Sequence, residues 1–356
     1  MVVLTVVSAH TLNAELPRGW TAMVARWQHW DADYYLQIAR HGYSGTVDAQ
    51  PSIVAFMPGF PMAVRIVHVV VRNWTLAALT VSAISGSVAA MALSGLGSYE
   101  KSSNNAQLSE RAVLYLVVSP FAVFLAAGYS ETLFLAFALP AWLAARKGNW
   151  RAAGVLAGLS ATVRITGLFL GIALLVEYLV MRRRAGEPLL KPDALWLLGP
   201  FIGTGLYFGY LGCLTGDPLA WVHAQGASPW PRHLTLPWHA LKATVDAARD
   251  GNQPVPYARA FGVEIAVVAV GLVLFLVLIK LRRWGETVYV GVQWLSFALS
   301  QFYLSVGRAS LLWWPMWLLL ARASINREWV HRVYLAIAPA LMATYVIAFT
   351  SGGWVG

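Results

Sequence analysis

Apolar runs long enough to cross a bilayer, punctuated by short basic loops, constrain this chain more than any other feature. A helix needs roughly 20 consecutive apolar residues to cross the hydrocarbon core, and such runs recur between residues 75 and 350. With 58% hydrophobic and 12% charged residues, about half the charged fraction of an ordinary soluble domain, the chain reads as an all-α, polytopic membrane protein. A formal charge of +10 would suit a nucleic-acid partner, but Arg and Lys gather between the apolar runs. That is how cytoplasmic loops are charged, so no nucleic acid is expected. The single cysteine, Cys213, lies in an apolar run; it excludes an internal disulfide or thiolate cluster and reads as a structural thiol.

Loop charges set the topology. Basic groups mark Lys101/Arg111, Arg146–Arg151, Arg182–Lys191, Lys280–Arg283 and Arg322–Arg332. All five can be cytoplasmic only if Ser52–Arg72 stays on the outer side, lying along the surface or dipping in and returning. Two prolines in AFMPGFP, with Arg65, His68 and Arg72 behind them, make a plain crossing costly in any case. The expected spans are 75–98, 112–128, 131–146, 194–214, 260–280, 287–306, 309–323 and 332–350. Residues 1–356 then form one transmembrane domain, with a first extracytoplasmic loop at 10–74 bearing interfacial helices and a larger one at 215–259. Met1–Ala9 is apolar but too short to cross, and is read as the outer end of a shortened or truncated first helix.

One segment does not fit a single crossing. Ala152–Met181 has cytoplasmic-type charge at both ends and Arg164 at its middle. A hairpin of two broken helices with Arg164 near the tip satisfies both ends. Irregular backbone at that depth must line protein or a water cavity, and an intramembrane arginine is a functional candidate.

The other unusual stretch is RWQHWDADYYLQIARHGY, Arg26–Tyr43. Trp27, Trp30, Tyr34 and Ile38 recur at helical spacing and predict a short helix with an aromatic side, suited to the membrane–water interface. Among them stand two acids, Asp31 and Asp33. The same outer face collects Arg40, His41, Glu131, Asp217, His223, Gln225, Arg232, His239 and Arg308, whereas the cytoplasmic side has only short basic loops. His29, Asp31 and Asp33 alternate as potential metal ligands, yet on a helix they would not aim at one point, so no metal site is assigned, although a divalent cation is compatible with the chemistry.

These residues carry a family resemblance. WDADYYLQIARHGY followed by AFMPGFPMAVR resembles the tryptophan–aspartate–alanine motif and proline-rich follow-on of the PIG-V-type (GPI mannosyltransferase II-like) membrane mannosyltransferases, of the GT-C class. SPFAVFLAAGYSETLF is similar to that family's tyrosine–serine–glutamate turn, and NWRAAGVLAGLSATVRITGLFL to its arginine-bearing hairpin. GDPLAWVHAQGASPWPRHLTLP and GRASLLWWPMWLLLA are similar to its large-loop and C-terminal arginine–proline motifs. The five follow the family order from about residue 26 to 323; the departure is the N-terminal stub, where the family has a full span.

The resemblance implies a GT-C fold and an inverting transfer of mannose from a polyprenyl-phosphate-mannose donor to an acceptor hydroxyl on the extracytoplasmic face. Such a reaction needs a base for the hydroxyl and cations for the departing lipid phosphate. Asp31 matches the family's first-loop aspartate and is the expected base, with Asp33 as a partner or substrate-binding group. Glu131 orients the acceptor, assists a metal or simply caps a helix. Arg164, Arg232 and Arg308 are the expected phosphate ligands, because the guanidinium fork pairs with phosphate and keeps its charge; His41, Asp217 and Gln225 complete the substrate-binding set. Membrane lipid surrounds the protein, and a lipid-linked glycan is the expected acceptor, such as an inositol-phosphate mannoside, with a protein hydroxyl as runner-up. Alanine and arginine richness with only five lysines points to a high-GC bacterium and its plasma membrane. A lipid or solute transporter or flippase would share the broken helices but should show internal repeats, and none is seen; a non-catalytic membrane subunit would not need carboxylates and arginines on one face.

Overall fold

The computed structural model describes residues 19–43, 53–100, 102–226, 233–250 and 255–355. The Met1–Ala9 expectation therefore falls outside the described residues, as does Arg232. The described chain is helical: α1 (Trp20–Ala25), α2 (Asp31–His41), α3 (Gly59–Val71), α4 (Trp74–Gly97), α5 (Asn105–Val117), α6 (Val123–Ala126), α7 (Glu131–Arg146), α8 (Trp150–Val163), α9 (Thr166–Ala185), α10 (Gly199–Thr215), α11 (Ala220–Gly226), α12 (Pro237–Arg249), α13 (Val255–Lys280), α14 (Trp284–Ala298), α15 (Val306–Ser310), α16 (Trp314–Asn326) and α17 (Glu328–Thr350). Short 3-10 turns cover Ile53–Ala55 and Pro192–Leu198.

Among the described residues, four stretches are long and apolar enough to cross a membrane: Trp74–Gly97, Pro192–Thr215, Ala258–Lys280 and Glu328–Thr350. They match the expected spans at 75–98, 194–214, 260–280 and 332–350, and the protein is an all-α polytopic membrane protein. The other four expected spans are shorter helices. Residues 112–128 divide into α5 and α6 around Ser119–Pro120, since Pro lacks an N–H and biases the preceding residue away from helix. α7, α14 and α16 have 16, 15 and 13 residues, roughly 20–24 Å at 1.5 Å per residue against a core of about 30 Å.

The chain divides into two compact units. The first comprises residues 19–40 of the described chain, Phe60–Leu139 and Leu311–Val355. Its core holds Phe60, Tyr115, Phe124, Tyr129, Phe134, Trp313, Trp314 and Phe349. Here the basic groups of α3 are accommodated locally: Arg65 donates from Nε to the Ala39 carbonyl at 2.7 Å and from a terminal nitrogen to that of Arg40 at 3.3 Å, at the C-terminal end of α2 where a cation is favoured. His68 stacks on Trp74 at 3.5 Å.

The second unit comprises His41–Gly59 and Pro140–Ser310. The expected hairpin is present: α8 ends at Val163, Arg164 is extended (φ −148°, ψ 143°), and α9 begins at Thr166. α8 and α10 approach through Gly154, Gly158, Gly199 and Gly203; a Cβ on Gly154 would lie 2.0 Å from the Trp196 carbonyl oxygen. Small residues allow such approach between helices in a bilayer. Gly154→Leu should therefore lower thermal stability in detergent by at least the ~1–3 kcal/mol of an overpacked core; an unchanged melting temperature would show that the contact is soft. Cys213, expected to be structural, is exposed.

Candidate active site

The aromatic stretch is not one helix. α1 stops at Ala25, a turn occupies Arg26–Trp30, and α2 begins at Asp31. Trp30 has φ +57°, a conformation that costs a non-glycine residue about 1–3 kcal/mol and persists only where neighbours impose it. The imposing contacts are visible. The amides of Ala32 and Asp33 donate to the His29 and Trp30 carbonyls at 3.2 and 3.0 Å, and Trp27 packs on Phe349 with centroids 6.2 Å apart. The break puts Asp31 and Asp33 into the first turn of α2, where the helix dipole favours carboxylates.

Each acid has a different setting. Asp31 is half-buried and Asp33 exposed. Asp33 accepts from Gln28 Nε2 at 2.7 Å, and Gln28 Oε1 accepts from the Thr75 hydroxyl at 2.7 Å. Asp33 is thus fastened through Gln28 to the start of α4. His29 lies edge-on to Phe349 at 5.7 Å; burial, only partly offset by Asp33, depresses its imidazole below the usual range and favours the neutral ring.

The tyrosine–serine–glutamate turn is bonded to this same segment. Tyr129 donates its hydroxyl to the His29 carbonyl at 2.9 Å, and the Ser130 and Tyr35 hydroxyls share a hydrogen bond of 2.9 Å. These two bonds reach the backbone before Asp31 and the side chain one turn after it. Tyr35 also meets Phe60 and Tyr129 edge-on at 5.1 and 6.5 Å, and the Ser82 hydroxyl holds the Ala127 carbonyl at 2.7 Å. Glu131 opens α7 and is fully buried. The first unit therefore gathers Asp31, Asp33 and Glu131. Gln28, Tyr35, Tyr129 and Ser130 hold them there; the sequence marks Tyr129 and Ser130 as part of the tyrosine–serine–glutamate turn but does not single out Gln28 or Tyr35.

The remaining described candidates fall in the second unit. Arg164 occupies the break between α8 and α9, within electrostatic reach of the fully buried Tyr289. Arg308 is 6% exposed and sits on the five-residue α15. Asp217 has a structural engagement: it accepts from the Leu219 amide at 2.9 Å and meets His223 Nδ1 at 2.7 Å. The His223 bond first, and the amide second, hold its carboxyl below the ordinary range. Gln225 donates to the Ala55 carbonyl at 3.1 Å. Tyr207 donates to the carbonyls of Val54 and Phe56 at 2.8 and 3.0 Å, and Tyr43 to Phe56 at 2.7 Å, so Gln225 is one of several braces on the segment ahead of α3. His41 is exposed at the end of α2. Among the described residues no group of three or more His, Cys, Asp or Glu is placed to hold a metal.

Residues 5–182 match the family profile described as Mannosyltransferase (PIG-V), half of the chain. The chain belongs to this family. Similar proteins include GPI alpha-1,6-mannosyltransferase 2 of Mus musculus, 36% identical over 149 residues, which cover 39% of this chain and 29% of that protein. The Homo sapiens protein of the same name is 31% identical over 150 residues, again 39% and 29%. GPI mannosyltransferase 2 of Yarrowia lipolytica is 33% identical over 100 residues, 28% of each chain. The matched stretches thus span under a third of these relatives. No solved structure matches. In this PIG-V family member the profile covers Asp31, Asp33, Glu131 and Arg164, whereas Asp217, Gln225 and Arg308 lie beyond it.

Proposed function

We propose that this protein is an inverting mannosyltransferase that uses a polyprenyl-phosphate-mannose donor and a lipid-linked glycan acceptor at the extracytoplasmic face of a bacterial plasma membrane. The observation that carries this reading is the strained, doubly tethered turn that opens α2 on Asp31. In the reaction the acceptor hydroxyl gives its proton to the Asp31 carboxylate while its oxygen forms a bond to the anomeric carbon. The carbon–oxygen bond to the lipid phosphate breaks, and the phosphate leaves with the electron pair. Attack opposite the leaving group inverts the centre. Arg164 and Arg308 balance the charge on the departing phosphate, with Arg232 as a third candidate from the sequence; Asp33, Glu131, His41, Asp217 and Gln225 bind or support substrate. The names of the similar proteins support mannose as the sugar and a lipid-linked glycan as the acceptor.

A lipid-linked substrate is also supported by an apolar cavity of about 560 Å³ within the first unit, walled by Trp27, Leu76, Ala83, Leu116, Leu125 and Leu135. That volume lies in the range of ligand sites. Thr132 lines it too, next in sequence to Glu131.

The direct test is purified protein in lipid nanodiscs, supplied with polyprenyl-phosphate-mannose and bacterial glycolipid and followed by mass spectrometry. A glycolipid heavier by one hexose is expected; an unchanged donor with every acceptor would refute the reading. The face is tested separately. In a Cys213→Ser background, a cysteine at Ser103 should react with an impermeant thiol reagent only from the cytoplasm and one at Val222 only from outside. Labelling of both from one side would reject the arrangement.

A further inference from the structure

α13 is one of the helices apolar enough to cross a membrane, yet it carries a carboxylate, Glu264, that is 3% exposed. An acid at such a position is expensive and needs strong partners. Three backbone amides hold it. Oε1 accepts from the Ser305 amide at 2.7 Å, and Oε2 accepts from those of Val306 and Gly307 at 2.7 and 3.2 Å. Three consecutive N–H groups converge on one carboxylate, a concave anion site of the kind successive amides form after a left-handed residue. Ser305 is that residue, at φ +60°.

These three amides open α15, and the next residue is Arg308. A helix of five residues cannot sustain itself. Its own bonds include those from the Ala309 amide to the Ser305 carbonyl at 3.0 Å and from the Ser310 hydroxyl to the Gly307 carbonyl at 2.6 Å. Its amino end would otherwise be buried with unmet donors. The geometry points to Glu264 as a positioning residue: it sets the backbone from which Arg308 projects, and so aims the guanidinium at the lipid phosphate. The aim at phosphate rests on the function proposed above.

Glu264→Gln tests this. Gln keeps the shape but replaces one acceptor oxygen with an NH2 that opposes backbone donors, so the loop must shift. A displacement of about 1 Å can cost about 10²-fold in rate. The expected result is a fall in kcat/KM of about that size, weaker binding of polyprenyl phosphate, and faster amide hydrogen exchange at residues 305–307. In an Arg308→Ala background the same change should add less than about threefold. Glu264→Asp keeps the charge one methylene short and should fall between wild type and Gln; it decides the matter if the Gln variant does not fold. Full loss of activity by Glu264→Gln in the Arg308→Ala background, or wild-type kinetics in both Glu264 variants, overturns the positioning role alone. Wild-type protein that neither transfers mannose nor binds polyprenyl phosphate overturns the proposed function and this role with it.

Discussion

Asp31→Asn is expected to lower turnover by about 10²–10⁴-fold, the usual contribution of a positioned general base, while the lipid-phosphate donor still binds. Asn preserves the shape of the side chain and can still accept a hydrogen bond in the first turn of α2. It cannot take the acceptor's proton. Removing a negative charge near a phosphate relieves repulsion, so donor affinity should hold or rise. Asp33→Asn should be milder, because the bond from Gln28 Nε2 can end on an amide oxygen as well as on a carboxylate. Steady-state rates and donor binding measured on the two single variants separate the roles. A larger loss for Asp33 would move the base there. Near-normal turnover in both, and in the double variant, would reject a base on α2 and make Glu131 the leading candidate, since it is the buried acid on the turn bonded to the same segment.

Replacing Arg308 or Arg164 by Lys is the second large effect. The charge stays but the fork is lost, and lysine's compact ammonium is more strongly hydrated and so costs more to bury. At Arg308, 6% exposed, that cost is near its greatest. Loss of one charge-assisted bond weakens donor use by about 1–3 kcal/mol, seen as a raised donor KM, weaker binding of polyprenyl phosphate, or both. Donor affinity and turnover unchanged in both variants would remove these arginines from the site.

Much of the architecture was legible because membrane burial writes long, simple patterns. The apolar runs at α4, α10, α13 and α17 and the polar interruption at Arg164 each announce themselves within a window of about 20 residues. What escaped is short or distant. A break at Trp30 leaves no mark in a run of aromatics at helical spacing, because the signal for left-handed backbone is glycine and here it is a tryptophan. The bond from Tyr129 to His29 joins residues 100 apart, and no local pattern predicts it. Glu264 vanished inside an apolar run because its partners are main-chain amides more than 40 positions on. Gln225 and Asp217 stand out as polar residues in the loop after α10, but the bonds they make to the Ala55 carbonyl and from the Leu219 amide leave no mark in composition.

Trp30 also sets a trap for anyone engineering a hardier enzyme. Glycine at this position would accept φ +57° without a side-chain penalty, so a search scored on melting temperature would be drawn toward it. The same change would loosen the turn that leads into Asp31, between the Tyr129–His29 and Tyr35–Ser130 bonds. Variants selected for heat tolerance at this residue should pass a purification screen and then prove sluggish, and a screen that scores product instead will keep the tryptophan.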